Sequence, residues 1–464
     1  MKLSAFLTTA ALATMGAADD GKMKMDEMMA LKTAQWDRAE ARGLFGGSKL
    51  YKKLTSFQPC IKGKSGRGPG KESYSCNNVN MHGFLSHEDL GSTTFRGNDV
   101  WGWTSKTGRE FGIVGQTDGV GFVEITKSGS LVYLGRLDTQ TTATSWRDIK
   151  VIGDHAYIGA ESEGHGLQIF DLKKLLKVSP RRPKVFSKET DLTALFTGFG
   201  SSHNIVAHEE VNMIYAVGGR TGPNSRNTTC AGGMFMVDVS DPANPTSPGC
   251  VPQDGYVHDA QCVIYKGPTK KYQGKEICFN YNEDTLTIMD MTDKSDPVVI
   301  SRTPYEGNEY THQGWLIDDT MEYLLLDDEL DEMRSAVPGA NGHTTTFIFN
   351  VANLEKPVNT GYYQSPAKSI DHNQYVVKGL TYQSNYGSGL RIVDVSGVHK
   401  DPTGGNFEEV GFFDVHPEDD DVGGVVEFLG TWSVYPYFRS GYILLNSIER
   451  GIFSLKYTGR KAKY

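Results

Sequence analysis

The sequence predicts an all-β protein: a seven-bladed β-propeller with a short N-terminal extension that is helical and tied by a disulfide. Two repeated patterns carry this prediction, an apolar strand ending in an acid or amide and a polar motif that opens each unit. Repeats of roughly 40–60 residues built from short strands are typical of propeller blades. The composition agrees, since Gly-rich turns between aromatic and β-branched runs indicate strands.

The apolar strand motif divides the chain into units of about four short strands, because a turn and a further strand follow most copies. Its copies are residues 121–124, 167–171, 234–238, 286–290, 346–350, 390–394 and the degenerate 451–455. We therefore expect one blade per copy.

The opening motif supplies one marked residue per unit, and the residue after it is always polar. The opening residues are Asn98, Arg147, His203, His258, His312, His372 and Trp432, at spacings of 49 to 60 residues. The residues that follow them are Asp99, Asp148, Asn204, Asp259, Gln313, Asn373 and Ser433. These units assign residues 97–460 to the propeller and residues 19–96 to the extension.

The last unit leaves too little chain for a fourth strand after residue 455. A propeller has to close its ring, because an open blade leaves strand edges unpaired. We predict that residues 79–85, just before the first blade, supply the missing strand. The alternative is a three-stranded last blade.

Residues 1–18 are predicted to be a signal peptide. Lys2 is followed by an apolar run and then by small residues, which predicts cleavage near Ala17 or Ala18. The alternative is a buried N-terminal helix. No later stretch is long and apolar enough to predict a transmembrane segment. The predicted location is therefore secreted and extracellular.

Six cysteines fit an oxidising compartment, since an even count there suggests disulfides. Six cysteines allow 15 pairings. Pairing of neighbours is expected because it gives short loops: Cys60–Cys76, Cys230–Cys250 and Cys262–Cys278. Asn227 begins a glycosylation sequon in a polar loop.

The extension begins with helix formers from residue 19 to about residue 45, without Pro and with few breakers. Its methionines are expected to dock the helix on the body of the protein. Soft copper is the alternative ligand for such a cluster. A basic, flexible loop is expected over residues 61–73, inside the Cys60–Cys76 bridge.

The chain resembles the secreted choice-of-anchor B family, whose blades relate to LVIVD-type repeats. The resemblance covers about residues 58–458. It rests on Cys60 with residues 76–79, residues 97–104, 145–150, 202–205, 258–262, 282–286, 311–315, 327–332 and 371–373. It implies the propeller fold and the secreted compartment, and it implies no particular biochemical activity.

The opening residues and the turns after the second strands are expected to face one another across one rim of the channel. Three interpretations stay open. The first is a metal site of His203, His258, His312 and His372, with Asp327, Asp328 and Glu329 as further ligands. Imidazole and carboxylate suit zinc, iron, manganese or copper, and calcium less well. The second is structural, with polar residues bonding adjacent blades.

The third interpretation is a polar ligand or substrate site without metal. Catalytic candidates are Asp148, Asp259, Glu161, Glu283 and Arg147, as proton-transfer groups or, for the arginine, as an anion contact. A metal-dependent extracellular hydrolase and a metal-free interaction or adhesion scaffold are the alternatives to a binding protein. The sequence leaves open whether the protein is an enzyme.

The net charge of −9 argues against a nucleic-acid partner, which would favour a basic face. The chain also lacks a phosphate-cradling loop, so no nucleotide cofactor is expected. An extracellular protein, a glycan or a small polar ligand are the expected partners. The oligomeric state is not predicted.

Overall fold

A computed structural model describes residues 16–66 and 73–463, with side chains from residue 24 onward. Seven antiparallel sheets follow one another around a ring, which confirms the seven-bladed propeller. Most of the predicted signal peptide, residues 1–15, lies outside the described residues. Residues 67–72 of the predicted basic loop also lie outside them.

The extension contains a long helix and three strands. These are α1 (Gly16–Ala41), β1 (Lys64–Ser65), β2 (Tyr74–Asn77) and β3 (Val79–Ser86). The helix begins and ends a few residues earlier than the predicted 19–45. It ends at Ala41 because Gly43, two residues later, adopts a left-handed φ of 75°.

In blades 1 to 6, four strands run outward from the channel in chain order. Blade 1 contains β4 (Gly97–Thr104), β5 (Glu110–Gln116), β6 (Gly119–Ile125) and β7 (Leu131–Asp138). Blade 2 contains β8 (Arg147–Ile152), β9 (His155–Ala160), β10 (Leu167–Asp171) and β12 (Ala194–Phe196), with β11 (Lys184–Phe186) preceding β12 in the chain. Blade 3 contains β13 (Asn204–His208), β14 (Met213–Val217), β15 (Met234–Asp238) and β16 (Thr246–Val251).

The remaining blades repeat this order. Blade 4 contains β17 (Asp259–Ile264), β18 (Glu276–Tyr281), β19 (Leu286–Asp290) and β20 (Val298–Thr303). Blade 5 contains β21 (Thr311–Leu316), β22 (Tyr323–Asp328), the short helix α2 (Asp331–Arg334), β23 (His343–Asn350) and β24 (Val358–Lys368). Blade 6 contains β25 (Asn373–Val377), β26 (Leu380–Ser384), β27 (Leu390–Asp394) and β28 (Glu408–Phe413). Blade 7 contains β29 (Thr431–Tyr435), β30 (Tyr442–Ser447) and β31 (Gly451–Tyr457).

The predicted ring closure is confirmed. Strand β3 pairs antiparallel with β31, with Met81 opposite Leu455, and so becomes the fourth strand of blade 7. Two other segments extend blades beyond four strands. Strand β2 continues blade 6 by pairing with β28, and β11 adds a parallel strand to β7 of blade 1.

The three disulfides join the expected neighbours: Cys60–Cys76, Cys230–Cys250 and Cys262–Cys278. The last pair links directly opposed residues on β17 and β18. No helix among the described residues is both long and apolar enough to cross a membrane.

Hydrogen bonds from the second position of the opening motif join neighbouring blades. Asp99 of blade 1 accepts from the backbone N–H of Ile149 in blade 2, and Asp148 accepts in the same way from Ile205 in blade 3. The Asn204 amide donates to the carbonyl of His258. These side chains therefore hold the register of successive blades, since buried polar groups require partners.

Candidate metal centre

Four histidines stack side by side around one mouth of the channel. The ring centroids of His203 and His258 are 4.3 Å apart, those of His258 and His312 are 4.1 Å apart, and those of His312 and His372 are 4.4 Å apart. The indole of Trp432 continues the row at 4.9 Å from His372. The repeat of the opening motif thus brings equivalent residues of blades 3 to 7 into one arc.

Each histidine of blades 4 to 6 uses Nδ1 to bond the next blade. His258 Nδ1 lies 2.8 Å from the carbonyl oxygen of His312, and His312 Nδ1 lies 2.9 Å from that of His372. His372 Nδ1 contacts the carbonyl of Trp432. A carbonyl only accepts, so Nδ1 carries the proton and Nε2 of the neutral ring keeps its lone pair. This is the arrangement that metal-binding histidines commonly show.

His203 differs because its Nδ1 lies 2.6 Å from the carboxylate of Glu161. The carboxylate likewise leaves Nε2 as the free nitrogen in the neutral ring. All four histidines therefore combine a structural bond with an available acceptor, and the structural and ligand-binding interpretations do not exclude each other.

Glu329, at the end of β22, brings a carboxylate to two of these histidines. Its Oε2 lies 3.5 Å from Nε2 of His312, and its Oε1 lies 3.4 Å from Nε2 of His372. The donor atoms of these three residues lie within 4.8 Å of one another. Glu329 Oε2 is buried and has no hydrogen-bond partner among the described residues. Among the described residues, His312, His372 and Glu329 are thus the members of the predicted set whose donor atoms lie close enough together to share one ion.

Helix α1 covers this mouth of the channel. Trp36 packs on Trp146 and Trp432 and donates its indole N–H to the carbonyl of Phe428 at 2.8 Å. Met25 and Met28 are buried, so the methionines dock the helix as expected. Ion pairs fasten the helix to several blades: Asp26–Arg220, Glu27–Arg334 and Glu40–Arg96.

Lys32 of α1 projects into the centre of the site. Its Nζ lies 2.7 Å from Glu329 Oε1, and its side chain is 2% exposed while that of Glu329 is 0% exposed. The same ammonium lies 5.3 Å from the ring centres of Phe428 and Trp432. Tyr386 completes the surroundings by donating its hydroxyl to Glu329 Oε1. Sequence reasoning identified neither Lys32 nor Tyr386.

The electrostatics of the site favour neutral imidazoles. Burial lowers the pKa of His258 and His312 well below the usual range, and the adjacent imidazoles and the Lys32 ammonium lower it further. Burial and Lys32 likewise lower the pKa of His372. Neutral imidazole is the form that binds metals, and the surroundings of these rings favour that protonation state.

The catalytic candidates fall into separate groups. Arg147 is buried and directs Nε to the carbonyl of Gln116 and an Nη to Nε2 of His165 at 2.9 Å. Burial lowers the pKa of Arg147 to about 10. Glu161 bonds His203 at the candidate metal centre. Glu283 instead pairs with Arg226 at 2.6 Å, and burial raises its pKa to about 8.

Asp148 and Asp259 lie with Lys150 rather than with the histidines. The Lys150 ammonium is 2.8 Å from Asp148 and 3.5 Å from Asp99. Burial raises the pKa of Asp259 to about 7, against the opposing effect of Lys150. Asp148 and Lys150 therefore form a group of their own with Asp99, separate from the candidate metal centre.

The two aspartates predicted as further ligands have other partners. Asp328 accepts from the Tyr305 hydroxyl at 2.8 Å and from the backbone N–H groups of Glu309 and Tyr310. Asp327 accepts from the Gln374 amide at 2.7 Å. Asn227 is exposed in the loop between β14 and β15.

Comparison with known proteins identifies the repeat type. Residues 230–251, which include β15 and β16 of blade 3, match the LVIVD repeat model. No curated protein matches the chain. The chain is therefore a repeat β-propeller that carries an LVIVD repeat.

Two solved structures are similar to the chain. The β-propeller domain of Cps50 (Swd1) from Myceliophteria thermophila has a TM-score of 0.46 at 12% identity, covering 78% of this chain and 97% of that one. A putative 6-phosphogluconolactonase from Bacteroides fragilis has a TM-score of 0.44 at 12% identity, covering 80% and 97%. At this similarity no activity is transferred to the chain.

Proposed function

We propose that the protein is a secreted binding propeller that holds a divalent transition metal between His312, His372 and Glu329. One observation carries the proposal: Nε2 of His312 faces Oε2 of Glu329 at 3.5 Å, and both atoms are acceptors. Two buried acceptors in contact repel each other unless a cation or a proton lies between them. The lowered pKa of His312 disfavours the proton.

The donor set supports a borderline metal such as zinc, iron, manganese or copper. Two imidazoles and a carboxylate are common ligands of these ions. Bonds of about 2.1 Å place the ligand atoms of a tetrahedral zinc roughly 3.4 Å apart, and the two histidine–glutamate distances of 3.5 and 3.4 Å agree with that spacing.

Helix α1 supports binding rather than turnover as the role of the site. Lys32 and Trp36 cover the channel mouth, so a substrate would have to displace the helix before reaching a metal. Secretion is part of the proposal because the three disulfides agree with the predicted signal peptide. The alternative without metal leaves an interaction scaffold of the same fold.

The test is the metal content of the secreted, untagged protein by elemental mass spectrometry. We expect a single bound transition metal per chain in the wild type and its loss in the double variant His312→Ala/His372→Ala. His399→Ala is the matched control, because His399 is exposed on an outer loop. Wild type without transition metal, after expression with each ion supplied, would refute the proposal.

A second test uses Lys32, because its ammonium pairs with the same Glu329 carboxylate that the proposed metal would bind. We expect Lys32→Met to bind the metal at least tenfold tighter in a chelator competition, since Glu329 no longer pairs with an ammonium. Lys24→Met is the control from the same helix: Lys24 contacts Asn308 instead of Glu329. Equal affinity of the wild type and Lys32→Met would place the ion away from Glu329.

A further inference from the structure

A group of three carboxylates lies beside the candidate metal centre. Its residues are close in sequence to Glu329 and His372. Asp331 and Glu332 follow Glu329 in the chain and belong to α2, while Asp371 immediately precedes His372. One oxygen of each of these three carboxylates lies within 4.8 Å of the others. Blades 5 and 6 thus bring three acidic side chains to a single point.

These carboxylates are buried and unpaired. The residues are 1%, 3% and 0% exposed for Asp331, Glu332 and Asp371. Among the described residues, both oxygens of Asp331, both oxygens of Asp371 and Oε2 of Glu332 have no hydrogen-bond donor. The neighbouring cation Lys32 pairs with Glu329 instead. Buried ionised carboxylates without a counter-charge are strongly unfavourable.

We propose that Asp331, Glu332 and Asp371 form a second, hard-cation site that takes Ca²⁺, separate from the transition-metal centre. The three residues offer only oxygen ligands, which suit calcium, magnesium and manganese. Calcium fits best, because it accepts many oxygens in irregular geometry.

Shared protons are the rival occupant of this site. Three carboxyl groups whose oxygens lie within 4.8 Å of one another can share protons through hydrogen bonds when no cation is present. A cation that enters has to displace those protons. Calcium binding therefore releases protons, and its enthalpy depends on the ionisation enthalpy of the buffer.

The experiment uses the full-length protein after removal of metals with a chelator. Addition of CaCl₂ is followed by isothermal titration calorimetry in two buffers and by the melting temperature. We expect a single Ca²⁺ per chain, a rise of several degrees in Tm and a buffer-dependent enthalpy. Asp371→Asn should lose all three effects, whereas Asp421→Asn, in an exposed loop, should keep them.

The double variant His312→Ala/His372→Ala separates this site from the proposed transition-metal centre, and it should keep its Ca²⁺ binding. If Asp371→Asn does not fold, Glu332→Gln takes its place, because its amide oxygen still accepts from the Thr345 N–H. Two results would overturn the proposal. One is a wild type that binds no Ca²⁺; a higher melting temperature of Asp371→Asn would then indicate that the carboxyl groups share protons instead. The other is calcium binding that survives both acidic substitutions.

Discussion

Two pairs of buried histidines at the same end of the propeller differ in how many ring nitrogens they use. His87 bonds the carbonyl of Ser447 through Nε2 and accepts from the Gln116 amide at Nδ1. His165 likewise bonds the carbonyl of Gly166 and accepts from Arg147. His312 and His372 bond the protein through Nδ1, and their Nε2 atoms face Glu329.

Burial alone therefore does not mark a ligand-binding histidine. His87 and His165 are 0% exposed, as deeply buried as the ring histidines, yet both of their nitrogens have protein partners. A neutral imidazole has one donor and one acceptor. Where the acceptor nitrogen already has a donor, the histidine is structural; where it faces a carboxylate, as in His312 and His372, the histidine is a candidate ligand of the metal proposed above.

The largest expected effect is that of replacing Glu329, the carboxylate that His312 and His372 face. Glu329→Gln leaves the buried ammonium of Lys32 without its counter-charge, and it should cost about 3–5 kcal/mol of unfolding free energy. The double variant Lys32→Met/Glu329→Gln should unfold within about 1 kcal/mol of the wild type, because a neutral pair replaces the ion pair. Guanidinium titration of the metal-free proteins measures both values.

A double variant as unstable as Glu329→Gln would contradict this account. It would mean that Glu329 stabilises the mouth of the channel through contacts other than Lys32. The hydrogen bond from Tyr386 would then be the first to examine.

A smaller effect is expected from protonation of His87. Burial lowers the pKa of His87 to about 4. The unfolded chain, with a pKa of about 6.5, therefore binds the proton first as pH falls. Stability is complete above about pH 6.5 and is lost toward pH 4. The loss reaches about 3 kcal/mol, since each pKa unit corresponds to about 1.36 kcal/mol.

His87→Gln should remove that share of the pH dependence, measured as unfolding free energy at several pH values. His399→Gln serves as its control, because His399 is exposed. If the pH dependence of the unfolding free energy is unchanged in His87→Gln, then neutral His87 does not stabilise the contact between the end of β3 and blade 1.

The smallest effect is expected outside the ring. Asn227→Gln changes an exposed loop residue, so the unfolding free energy should stay within about 0.5 kcal/mol of the wild type. In a host with N-glycosylation, mass spectrometry should show the loss of a glycan. A larger change in stability would mean that a substitution in this loop also disturbs the blades. The unfolding free energies of the Glu329 and His87 variants could then not be assigned to their own contacts alone.

The fold was predictable because its signals are local and repeated. The opening motif and the apolar strands set the number of blades, and the short last unit required a closing strand, which β3 provides. Nearest-neighbour pairing was enough for the disulfides, since Cys262 and Cys278 lie on adjacent strands.

The site was predictable only in part, because its decisive partners are distant in sequence. Lys32 lies in a polar helix with other lysines, and nothing local distinguishes a buried lysine from a solvated one. Asp371 precedes a ring histidine, but its approach to Asp331 depends on the packing of blade 6 against blade 5. The group around Lys150 depends on the same packing of neighbouring blades, because Lys150 of blade 2 pairs with Asp99 of blade 1 as well as with Asp148.

The closing pair of strands imposes an order on biosynthesis. Strand β3 leaves the ribosome before every blade strand, yet its partner β31 is made after all the others. The bridges Leu54–Phe84 and Gln58–Met81 are local in the chain, so one edge of β3 can pair early, whereas its other edge has no partner until the last blade is made. The ring can therefore close only after the last blade has been synthesised, although its closing strand is among the first strands to be made.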